Sequence, residues 1–71
     1  MSSRTKLRFV YRDGQDFADG VRGAYRIRQA EEGWKRPWIA DFKEAGADWV
    51  EIGRGINPGE AKHQAREWDA R

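Results

Sequence analysis

Asn57-Pro58-Gly59-Glu60-Ala61-Lys62-His63-Gln64-Ala65-Arg66-Glu67-Trp68 writes a helix start, a helix face and a packing surface in one run. The Asn57 side chain can accept from a first-turn amide, and Pro58 has the φ of a first helical residue and needs no hydrogen bond there. Glu60 stands three residues after the cap, where it completes a capping box. Ile56 and Ala61 flank the cap at the spacing of a hydrophobic staple. Ala61, Ala65 and Trp68 then fall on one narrow stripe. The pattern predicts a helix over 58–70 that lies close on a sheet through its alanines and plugs its far end with an indole.

Upstream, period-two alternation predicts strands. In 6–12, Leu7, Phe9 and Tyr11 share one face and Lys6, Arg8, Val10 and Arg12 the other, and Asp13-Gly14 marks a turn. From Gln15 to Gly23 no long element is expected, because Gly14, Gly20 and Gly23 break it up, and the stretch reads as a loop that tucks Phe17 inward. Strands follow at 24–29, 37–43 and 48–53, separated by the charged loop 31–36 and by Ala45-Gly46-Ala47, and Gly53-Arg54-Gly55 ends the last of them. The expected architecture is α+β: an antiparallel meander of three to four strands, covered on one face by the C-terminal helix. The expected core is Leu7, Phe9, Tyr11, Tyr25, Ile27, Trp38, Ala40, Phe42, Val50, Ile52, Ala61, Ala65 and Trp68.

Seventy-one residues suit one domain, with residues 1–4 a frayed polar end and a stability on the order of 5 kcal/mol. The absence of Cys excludes a disulfide framework, a thiolate zinc site and a thiol nucleophile, and a lone His supplies little for metal binding or general base catalysis. Fourteen basic and twelve acidic residues leave a net charge of +2, so affinity for nucleic acid would need local clustering. No apolar run reaches the length of a signal-peptide core or a membrane span, which predicts a cytoplasmic protein without a membrane partner.

The chemistry-bearing candidates have plain structural alternatives. His63 and Glu67, four apart on the helix, have no third metal ligand nearby in sequence and read as an exposed pair. Gly53-Arg54-Gly55 before a helix N-terminus resembles a phosphate cradle, but Pro58 removes an amide and Glu60 places a carboxylate there, so a bend into the helix is expected. Ser2, Ser3 and Thr5 sit far from His63 in the chain, which argues against a serine-type nucleophile. No enzyme activity, metal or cofactor is expected.

The informative surface is the sheet face away from the helix, which collects Arg8, Val10, Arg26, Arg28, Ile39, Asp41, Lys43, Trp49 and Glu51, with Trp34, Lys35 and Arg36 at its rim. It is either a solvated face, its cations paired across strands with Asp41 and Glu51 over Trp49, or a contact surface of the Arg and Trp composition enriched at binding hot spots. The expected partner-binding residues are Arg8, Arg26, Arg28, Trp34, Lys35, Arg36, Lys43 and Trp49. The open sheet face also suits a homodimer contact that adds buried area to a small core, so monomer and homodimer are both expected forms.

The run Trp49-Val50-Glu51-Ile52-Gly53-Arg54-Gly55-Ile56-Asn57-Pro58-Gly59-Glu60-Ala61, with Gln64-Ala65-Arg66-Glu67-Trp68 after it, resembles two groups. The first is the small anti-CRISPR proteins of phages, in which a short antiparallel sheet is backed by a helix opening with Asp/Asn-Pro-Gly and ending in Glu-Trp. The likeness covers the last third of the chain. It implies a non-enzymatic inhibitor that occupies a protein subunit of a nucleic-acid-guided host complex, and it assigns no individual residue. The second is the arm-type DNA-binding domain of integrases and its AP2-like relatives. Glu60-Ala61 matches its helix-opening step, while its usual Phe-x-Thr is Gly55-Ile56-Asn57 here. That resemblance implies a sheet laid on DNA, with Arg8, Arg26, Arg28, Lys35 and Arg36 on phosphates and Trp34 or Trp49 in stacking or wedge contacts.

Overall fold

The computed structural model describes residues 7–31, 35 and 37–71. Within them the chain runs β1 (Val10–Arg12), β2 (Gln15–Asp19), β3 (Ala24–Gln29), β4 (Trp38–Lys43), β5 (Val50–Gly55) and α1 (Pro58–Asp69). The strands pair in sequence order as a five-stranded antiparallel sheet, and α1 lies across β3, β4 and β5 on one face. This is the α+β meander with a C-terminal covering helix that the alternation and the cap predict, with more strands than the three to four expected.

The extra strand is β2, where a loop was expected. Asp13 and Gly14 take φ of 53° and 79°, so the turn has the left-handed pair of a two-residue hairpin, whose twist matches that of its strands. The chain therefore folds straight back, pairing Arg12 with Gln15, Tyr11 with Asp16 and Val10 with Phe17. Phe17 consequently sits on the face away from the helix and not in the core beneath it.

Other boundaries shift by small amounts. Pairing in the first strand is confined to Val10–Arg12, shorter than the 6–12 expected, and Lys6 lies outside the described residues. The third expected strand begins at Trp38, one residue later than 37, because Pro37 has no amide to donate. The last runs over Val50–Gly55, not 48–53, so Gly53-Arg54-Gly55 is strand and not a bend. Its glycines are there for closeness: a Cβ on Gly53 would lie 2.9 Å from the Gln64 Cβ, and one on Gly55 would lie 2.8 Å from the Ala61 amide nitrogen. A register shift opposite Ala40 and Asp41, whose partners are Gly53 and Glu51, makes Ile52 the extra residue of a bulge.

The helix starts at its cap. Asn57 is extended and its Oδ1 accepts from the Glu60 amide at 2.8 Å, while the Glu60 carboxylate accepts from the Ile56 amide at 3.1 Å, one residue further back than in the standard box. Ile56 is exposed, so the expected staple onto Ala61 contributes little burial.

Leu7, Ala18, Tyr25, Ile27, Ala40, Phe42, Ala61 and Ala65 form the buried cluster, and Phe9, Trp38, Ile52 and Trp68 pack partly buried against it. Each large apolar side chain buried this way contributes roughly 1.5–3 kcal/mol. Tyr11 and Val50, expected inside, are 72% and 54% exposed. Tyr11 lies on edge strand β1, which the helix does not cover, and Val50 opens edge strand β5 beside a turn.

One polar residue belongs to this core. Asp69, the last helical residue, is buried and accepts from the amides of Val21 (3.1 Å) and Arg22 (2.9 Å) and from the Tyr25 hydroxyl (2.8 Å). Burial pushes its carboxyl up, but the two amides, the Tyr25 hydroxyl and the Arg22 guanidinium outweigh this and hold it below the usual carboxylate range. The same contact, on top of burial, pushes the Tyr25 phenol well above its ordinary value. The helix end is thereby bolted to the β2–β3 turn. Trp68 beside it packs on Phe42, with ring centroids 5.8 Å apart, and has the Arg22 and Arg71 guanidiniums over its ring at 5.1 and 4.7 Å.

Candidate functional site

Alternation and register fix which side chains share the face opposite the helix: Val10 and Arg12 from β1, Gln15, Phe17 and Asp19 from β2, Ala24, Arg26 and Arg28 from β3, and Ile39, Asp41 and Lys43 from β4. From the other edge come Glu51 and Arg54 of β5, paired with Asp41 and Ile39.

The centre of this face is closed. Asp41 is only 1% exposed although no helix or strand of the described residues covers it, and Arg26 donates through Nε and Nη2 (3.0 and 2.8 Å) and Arg28 through Nε to one of its carboxylate oxygens. Ile39, in register between Arg28 and Arg54, is buried as well. Long side chains whose charged heads stay near solvent while their stems cover apolar neighbours account for this burial. Glu51 is taken by Arg54 at 2.7 Å and not by Lys43. Arg26 and Arg28, two of the expected partner-binding cations, thus act first as counter-ions of a buried carboxylate.

The end of the face nearer β1 is open, and aromatic residues shape it. Flat sheet geometry would set β2 and β5, three strands apart, about 14 Å from each other. Yet the rings of Phe17 and Trp49 are only 6.5 Å apart, tilted by 59°. The long Phe17 and Trp49 side chains lean toward each other across the intervening strands and close this distance. The Arg26 guanidinium lies 4.4 Å from the Trp49 ring centroid and that of Arg12 lies 5.0 Å from Phe17, so both rings carry a cation–π contact. Between this pair and β1 runs a groove of about 440 Å³. Val10, Phe17, Ala24 and Trp49 give it an apolar lining, and Arg8, Arg12 and Asp19 bring charge to it.

Of the eight expected partner-binding residues, the fold brings Arg8, Arg26, Arg28, Lys43 and Trp49 to this one face. Arg8 and Trp49 line the groove, Arg26 and Arg28 are bound to Asp41, and Lys43 is exposed on β4. Lys35 is exposed in the β3–β4 connection, and Trp34 and Arg36 lie outside the described residues. Reading the sequence missed Phe17, whose ring lines the groove, and left Arg12 and Asp19 out. The Asp13-Gly14 pair was the available signal, since a two-residue hairpin requires a strand directly after it. His63 and Glu67 form the expected exposed pair at 3.3 Å.

No family model matches the chain, and no curated protein or solved structure matches it.

Proposed function

We propose that the chain is a non-enzymatic binding protein whose open sheet face docks on a protein subunit of a larger complex. The observation that carries this reading is the paired Phe17–Trp49 platform beside a groove, standing on a face whose central charges are already neutralised within the chain. Half-buried aromatic rings next to guanidiniums are the composition of binding anchors, and pre-positioned ones lose little entropy on docking. Arg26 and Arg28 satisfied by Asp41, and Arg54 satisfied by Glu51, favour a protein partner over the regular phosphate array of DNA, which calls for several cations free to replace counter-ions. The resemblance of the last third to phage inhibitors supplies the class of partner, a nucleic-acid-guided host defence complex blocked by occupation of one subunit.

The test is co-purification with the tagged chain from a lysate of its host, beside an Arg12→Glu/Lys43→Glu variant with wild-type thermal stability. A protein subunit retained by the wild type and lost by the variant, together with loss of guided interference in cells expressing the chain, is the expected result. Recovery of DNA alone, with affinity falling steeply between low and physiological salt, would establish the sheet-on-DNA alternative instead.

A further inference from the structure

We infer that the groove between β1 and Trp49 is a receptor for an extended, acidic segment of the partner that carries one aromatic or large aliphatic side chain. This rests on the open-face reading above and specifies its chemistry. The groove has two parts with different demands. Its apolar part is lined by the rings of Phe17 and Trp49 and by Val10 and Ala24, so it accepts one flat or branched side chain. Its charged part is basic in balance: Arg8 and Arg12 on the β1 side against Asp19. Arg8 and Arg12 are both exposed. The third nearby guanidinium, Arg26, is engaged by Asp41 beneath the Trp49 ring and adds little unbalanced charge.

Charge complementarity decides the occupant. Two arginines, each one strand-repeat from Val10 on either side, match a segment with carboxylates flanking its anchoring side chain. A nucleic acid strand would offer a base for the rings, but its phosphates would have to pass Asp19 and find neutralising partners beyond two arginines, on a face where the Asp41 and Glu51 ion pairs are already closed. A basic peptide would meet like charge at β1. The groove therefore selects for acid next to apolar, and Asp19 sets an upper limit on how much negative charge is welcome.

The experiment is a ¹⁵N-resolved titration of the full chain with three probes: the blocked peptide Asp-Glu-Phe-Asp, its charge-reversed form Lys-Lys-Phe-Lys, and hexathymidylate. The acidic peptide should shift the Trp49 indole N–H and the amides of Val10, Phe17 and Ala24, and bind at least about fivefold tighter than the basic one. Arg8→Gln and Arg12→Gln should each weaken it by about threefold, and Asp19→Asn should strengthen it, with none of the three moving the thermal midpoint appreciably. Tighter binding of the basic peptide or of hexathymidylate, shifts mapping elsewhere, or no shifts at millimolar acidic peptide would overturn the inference. The two readings fail separately. A partner subunit that is still captured by Arg8→Gln and Arg12→Gln with wild-type affinity, yet lost by Lys43→Glu, would remove the groove and leave the open face standing. A subunit retained by every open-face variant would remove both.

Discussion

Asp69 holds two turn amides and a phenol from the last residue of a helix, where the macrodipole disfavours a carboxylate, so its hydrogen bonds must outweigh that penalty. Asp69→Ala leaves those donors without their acceptor and should lower stability by about 3 kcal/mol, read from urea unfolding. Because folding holds this carboxyl below its ordinary range, its stabilisation is complete above about pH 4 and is lost as the pH falls through the lower folded value. Asp69→Asn should therefore flatten the acid limb of the stability curve. Tyr25 has the opposite sign: folding raises its pKa, first by burial and then by the Asp69 contact. Its contribution is complete below about pH 10 and declines above it, and Tyr25→Phe should remove that alkaline loss. On the other face, Arg26→Ala and Arg28→Ala are not silent surface changes. Each leaves buried Asp41 with one counter-ion, and the double substitution, which leaves it with neither, should cost about 3–5 kcal/mol by the same unfolding measurement.

At the level of elements, α1 depends on its ends and on the glycines beneath it. Asn57→Ala should cost about 1 kcal/mol in a thermal or urea melt, because the Glu60 amide loses its acceptor. Gly55→Ala should cost about 1–3 kcal/mol, since the new methyl would press on the Glu60 Cβ and the Ala61 amide nitrogen, both fixed by the helix backbone. The cap and the stripe of Ala61, Ala65 and Trp68 made this helix legible, because both are local: every residue that specifies them lies within a few turns. β3 was legible for the same reason, its Tyr25–Ile27 alternation lying under a covered part of the sheet. β2 was not, because Gln15–Asp19 carries a single large apolar residue, and that residue faces the open side of the sheet, where its ring partner is Trp49, far along the chain. The groove was hidden for that reason too. Arg8 and Trp49 could be placed on one face from alternation, but the contact of Phe17 with Trp49 spans strands far apart in the chain, which no period in the sequence announces.

Across the whole molecule the two faces are stabilised differently. The helix side is an apolar cluster closed by Asp69, and the open side is a buried carboxylate under arginine stems with an aromatic bridge from β2 to the start of β5. Charge at the groove is few in number and near solvent, so partner affinity should change only moderately between low and physiological salt, measurable by calorimetry once the subunit is in hand.

The helix backbone lies on β3, β4 and β5 and reaches the β1–β2 hairpin only with long side chains, Lys62 to Asp16 at 3.7 Å and Lys62 and Arg66 over Phe9, while β3 holds β2 and leaves β1 an edge. Protection against hydrogen exchange should therefore be graded. Amides of β3 and β4 should exchange only through global unfolding, while those of Val10 to Gln15 should exchange through a smaller opening with a weaker dependence on denaturant. Since that hairpin is also one wall of the groove, the molecule carries a soft jaw opposite a hard one. A ligand seated between them should slow exchange at β1 far more than anywhere else.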